Sequence, residues 1–241
     1  MTIENEEDII NKILYLKEVN KMRKVKDPVS GILHLVGFGL SIAGLVLLII
    51  FACLYGEKAW DVVTFAIFGS SLVLMYLFSS LYHMLNLGET GTRVFKKFDH
   101  IMIYVVIAST YTPICLGPLR GPWGWSIFGS VWLLAVLGII MAAVWIKAPR
   151  WLTTSLYIAM GWLVVIMAYP LITTFIKLNA LKSLLWLLAG GIFYTIGGII
   201  YGLKKAPFTT KHFGFHEIFH VFVMLGSFCQ FWFIFRYLLY I

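Results

Sequence analysis

Apolar runs close to the ~20 residues that span a bilayer recur along this chain, and they constrain its fold more than any other feature. Seven are read, at about 32–54, 62–85, 100–116, 124–146, 151–170, 183–203 and 217–239. The links between them are short and marked by Gly, Pro and charge, such as "GPLRGPWG" and "KKAPFTTKHFG". The composition agrees: 61% of the 241 residues are hydrophobic and 12% charged, and the mean hydropathy is +0.90. Each backbone polar group must be satisfied inside the bilayer, so apolar runs of this length fold as helices. The expectation is an all-α integral membrane protein, a seven-transmembrane helix bundle spanning residues 30–241, preceded by a basic arm over residues 1–29.

The arm is too long and too charged for the n-region of a cleaved signal peptide. Ile9, Ile10, Ile13, Leu14 and Leu16 recur in it at roughly helical spacing, which suits either an amphipathic helix on the membrane surface or a solvated arm. Fourteen of the nineteen Lys and Arg fall in the arm and in the second, fourth and sixth links; five fall in the odd links and the last helix. By the positive-inside rule the N-terminus is cytoplasmic and the C-terminus outside. The net charge of +8 thus serves topology and anionic headgroups rather than nucleic acid. Cys53, Cys115 and Cys229 lie inside segments without a C-x-x-C pair and read as small core residues.

Ionisable side chains within membrane segments are costly and mark function. Here they are His34 at the start of segment one, His83 near the end of segment two, Asp99 and His100 at the start of segment three, and His216, Glu217 and His220 at the start of segment seven. All fall at the same, cytoplasmic end. His212 lies in a link and reads as solvated.

His216 and His220 are four apart and share a helix face, and His83 is available as a third ligand, so three imidazoles can hold zinc and leave a position open. Ser79 lies one turn before His83, where its hydroxyl can bond water or substrate. Asp99 can orient or deprotonate that water, with His100 pointing to a different face. His34, with Ser30 one turn earlier, is placed behind the ligands. "HEIFH" also matches the H-E-x-x-H pattern of zinc proteases. "AGGIFYTIGGIIYG", with Gly198 and Gly202 in a G-x-x-x-G, reads as a helix interface. Pro113 and Pro170 end or kink their helices.

"SSLYH", "FDHIMIYVVIASTYTP" and "FGFHEIFHVFVMLGS" resemble the signature segments of the bacterial hemolysin III family, which belongs with the progestin and adipoQ receptors and more distantly with alkaline ceramidases. The resemblance covers roughly residues 24–240. It implies seven helices with the N-terminus inside, residence in the bacterial cytoplasmic membrane, a Zn2+ ion on His83, His216 and His220, and contacts of Asp99 and Ser79 with its water. Asp27 and Ser30 take the place of an acidic and a small polar residue before the first-helix histidine, His34. Gln230 stands where many members carry another histidine. This pattern, without the N-P-D-G-like segment of intramembrane proteases, sets Glu217 aside as a helix-cap or interfacial charge. Three functions stay open: zinc-dependent hydrolysis of a lipid amide or ester, a nonenzymatic regulator of membrane state with structural zinc, and a membrane-lytic pore former.

Overall fold

The computed structural model describes residues 10–12, 14, 25–56, 59–145, 147–210 and 213–238. Most of the basic arm, including Ile9, Ile13 and Leu16, lies outside them, as does His212. The described residues form helices and no strand: α1 Pro28–Tyr55, α2 Ala59–Met84, α3 Gly88–Leu116, α4 Pro122–Val144, α5 Arg150–Gly161, α6 Ala168–Lys177, α7 Leu184–Leu203 and α8 Phe215–Arg236. Six of these are long and apolar enough to cross a membrane, and the bent pair α5 and α6 makes a seventh crossing if it is one span. The chain is a multi-pass membrane protein.

Local sequence sets the helix ends. Pro28 and Pro122 open α1 and α4 at the position where a missing N–H costs nothing. Lys204, with φ of 55°, stops α7 in the left-handed conformation. Pro113 lies inside α3, which ends three residues later at Leu116.

The fifth span departs from the single run expected over 151–170. α5 stops at Gly161, a 3₁₀ turn covers Trp162–Val165, and α6 leaves at 49° to the first half. Pro170 sits in the first turn of α6. A break in a span frees backbone groups that lipid cannot satisfy. Tyr111 of α3 meets them: its hydroxyl accepts from the Val164 N–H at 2.8 Å and lies 2.5 Å from the Gly161 carbonyl oxygen, to which it donates.

Neighbouring helices pack in a closed circuit: α1 on α2, α2 on α3, α3 on α5, α5 on α7, α7 on α8, and α8 back on α1, with α4 against α3. The outward faces are apolar, as lipid requires: Leu40 and Leu54 of α1, and Leu133 and Val144 of α4, are exposed. Cys115 and Cys229 are buried as expected, whereas Cys53 is exposed on α1, because that helix turns most of its side chains outward. Every buried residue of α7 is a glycine: Gly190, Gly197 and Gly198. A Cβ on Gly198 would stand 3.3 Å from Thr154 and Ile158 of α5, and one on Gly202 3.6 Å from Thr154. The G-x-x-x-G is the contact of α7 with α5, where small residues let backbones approach.

Candidate metal centre

The last turn of α2 supplies His83 and the first two turns of α8 supply His216 and His220, and their ligand atoms all lie within 4.8 Å of one another. The start of α8 is fixed by Glu217, whose Oε2 accepts the Gly214 N–H at 2.8 Å and caps the helix. From that start, His216 and His220 fall one turn apart on one face. His216 Nε2 is 3.3 Å from His83 Nε2 and 3.2 Å from His220 Nε2. On the far side of its ring, His83 Nδ1 lies 3.1 Å from Oδ2 of Asp27, the residue before α1. A carboxylate only accepts, so Nδ1 carries the proton and Nε2 presents its lone pair to the other histidines. Three imidazole nitrogens converging in this way suit a divalent cation of intermediate softness, and the donor set fits zinc.

α1 backs the cluster. The Ser30 hydroxyl donates to Glu217 Oε1 at 2.8 Å, so both carboxylate oxygens of Glu217 are engaged, one by the helix cap and one by α1. The His34 ring stacks on His220, with centroids 3.8 Å apart, and stands edge-on to Tyr76 at 5.1 Å. Tyr76 has room because Gly37 offers no side chain: a Cβ there would come within 2.7–3.1 Å of the phenol ring.

Below the cluster lies a cavity of about 630 Å³, bordered at its polar end by His34, Ser79, Asp99, His100, His216 and His220. Its walls are apolar and come largely from α3, the broken fifth span and α7, among them Ile107, Val164, Leu171 and Leu188. Gln230, ten residues beyond His220 on α8, borders it roughly 15 Å further on at 1.5 Å rise per residue. Its amide N–H donates to the Leu187 carbonyl at 3.2 Å, in space that Gly190 leaves free. Asp99 is half-buried, and among the described residues its carboxylate makes no hydrogen bond. His100 follows Asp99 on α3, and both border the cavity.

Residues 22–231 match the family described as Haemolysin-III related. The chain belongs to that family. It is 43% identical over 211 residues to the hemolysin-3 homolog of Bacillus subtilis (strain 168), covering 87% of this chain and 93% of the relative. With hemolysin-3 of Bacillus cereus it shares 38% identity over 216 residues, covering 89% and 93%. The human monocyte to macrophage differentiation factor is 26% identical over 191 residues, covering 76% of this chain and 73% of the relative.

In this haemolysin III chain, the residues that spacing singled out come together at one end of the bundle: His83, His216 and His220 as a cluster, His34 stacked on it, and Ser79 and Asp99 on the adjoining wall. The Ser30 hydroxyl reaches the cluster's surroundings through Glu217. Residue-by-residue reading missed Asp27 as the partner of His83. Its only sequence signal was an acidic residue ahead of His34 in the family pattern.

Proposed function

We propose that this haemolysin III protein holds one zinc ion on His83, His216 and His220 at the cytoplasmic face of the bacterial plasma membrane, and hydrolyses the amide or ester bond of a membrane lipid there. The observation that carries this is a cluster of three converging Nε2 atoms, of which His216 and His220 border an apolar cavity together with an Asp99 carboxylate that makes no hydrogen bond among the described residues. The cavity falls within the roughly 300–1,000 Å³ of small-molecule sites, and its apolar wall suits an acyl chain entering from the bilayer. Zinc supplies Lewis-acid polarisation of the carbonyl. Asp99 takes the proton of the attacking water and returns it to the departing amine or alkoxide as the carbonyl carbon's bond to it breaks. Ser79 orients the water or the carbonyl by hydrogen bonding. Asp27 fixes the ring and tautomer of His83, His34 packs His220 in place, and the apolar wall excludes bulk water.

Glu217 is not the base on this reading, because its two oxygens serve Gly214 and Ser30. Metal content by mass spectrometry is the test. About one zinc per chain is expected, lost in His83→Ala, His216→Ala and His220→Ala. Asp99→Asn retains the zinc and releases no product from lipid, while Glu217→Gln keeps both. Absence of zinc in protein prepared without chelators, or activity that follows Glu217 instead of Asp99, overturns the reading.

A second reading has one observation in its favour: the cluster and its neighbours join α1, α2 and α8, which a purely structural zinc would also do. Zinc retained without turnover on a broad lipid set selects that reading. Lysis of dye-loaded vesicles by the purified protein selects the pore former instead.

A further inference from the structure

Three cations surround the cytoplasmic side of the metal centre, and none is fully matched by a carboxylate. Lys26 Nζ sits 3.8 Å from the centroid of the Tyr82 ring, and that ring lies 4.7 Å from the ring of His83. The Arg150 guanidinium lies 5.2 Å from the ring of Tyr201 and 5.8 Å from that of Phe215. Tyr201 in turn is 5.7 Å from His216. Two cations are thus each held over a tyrosine that touches a candidate ligand. The third, Lys96, is half-buried one turn before Asp99 on α3, within electrostatic range of Arg150, Lys26 and Asp99.

Among the described residues neither Lys96 nor Arg150 forms an ion pair. Lys26 has a 3.8 Å contact with Asp27 Oδ2, the oxygen already bonded to His83. Cations on a membrane rim commonly extend into water, apart from one another. Cations gathered over the mouth of a site that itself takes a divalent metal repel each other, and an anion between them relieves that cost.

We propose that this mouth binds the phosphodiester of an anionic glycerophospholipid. The ester carbonyl of such a lipid is a few bonds from the phosphorus. With the phosphate between Arg150, Lys96 and Lys26, the carbonyl reaches the histidine cluster and the acyl chain enters the cavity. Arg150, 5.2 Å from the Tyr201 ring centroid, forms no ion pair among the described residues, and its planar guanidinium suits paired bonds to phosphate oxygens. For what lies below the mouth this rests on the hydrolase reading, which it narrows to a substrate class. Water adds to the ester carbonyl, the acyl carbon–oxygen bond breaks, and the water's proton passes to the lysophospholipid oxygen as the fatty acid leaves.

The test separates binding from turnover. Zinc-loaded Asp99→Asn protein in detergent micelles is titrated with dioleoyl phosphatidylglycerol and with dioleoylglycerol, and each is quantified by native mass spectrometry. The phosphatidylglycerol is expected to bind about ten-fold or more tightly, the scale of one or two charge-assisted hydrogen bonds. Lys96→Gln with Arg150→Gln should abolish that preference. Arg93→Gln with Lys205→Gln removes equal charge from exposed positions and should leave it intact, and retained zinc in both variants shows that they are folded.

Equal binding of the two lipids, or equal losses in the two double variants, overturns the proposal. Inorganic phosphate that binds at least as tightly as the lipid and displaces it makes the site one for free phosphate and also overturns it. Fatty acid release by the unaltered chain is measured alongside. A charge-dependent lipid preference without release upholds the headgroup site and removes the hydrolase. Release from uncharged lipid without any such preference does the reverse.

Discussion

Asp27 is the residue whose position says most about the candidate centre. Its carboxylate holds the Nδ1 side of His83 at 3.1 Å while its own side chain remains 43% exposed. Carboxylates behind a ligating histidine set its tautomer and raise its basicity, and their loss commonly costs 10–100-fold in metal affinity. Asp27→Asn should therefore weaken zinc binding by about that factor, measured by competition with a chelator, while the helices remain intact. The three clustered histidines were legible because four-residue spacing puts His216 and His220 on one face and because a histidine within an apolar run is conspicuous. Asp27 was not. In sequence it belongs to a polar arm, and nothing local shows that it meets a histidine 56 residues later. His34 was legible as a neighbour of the site. Its ring-on-ring contact with His220 depends on how closely α1 approaches α8, which spacing along one helix does not contain.

At the scale of elements, six spans follow directly from apolar length, and the α7 interface follows from its glycines, because a helix with no buried side chain larger than hydrogen packs by backbone approach. The fifth span was legible as apolar, with Pro170 marking an end or kink near where α6 begins. The 3₁₀ turn itself leaves little trace, since Trp162–Val165 is as apolar as a straight helix would be, and what makes the break tolerable is a hydroxyl on α3. Tyr111→Phe removes an acceptor from the Val164 N–H and a donor from the Gly161 carbonyl. The cost is about 1–3 kcal/mol for groups left unsatisfied. It should appear as a lower thermal unfolding midpoint in detergent, with zinc content unchanged because Tyr111 does not touch the cluster.

For the whole molecule, the proposed orientation rests on the charge bias of the links, and it would put the candidate centre and its polar mouth at the cytoplasmic end, among the more basic links. In a chain whose Cys53, Cys115 and Cys229 are replaced by Ser, Lys205→Cys should resist a membrane-impermeant maleimide in intact cells and react after lysis, whereas Arg120→Cys should react in both. The opposite pattern would invert the topology and place the site outside. The circuit of helices also bears on synthesis. The ligands from α2 and α8 lie 133 residues apart, and the bond from Ser30 to Glu217 spans 187. While a ribosome is still making the later spans, the first two are already in the bilayer with Asp27 and His83 lacking α8. A prematurely terminated chain can insert several helices and still carry only half of the centre. On the zinc reading, ion capture would then be a step that only finished chains reach, and it would distinguish complete molecules from fragments.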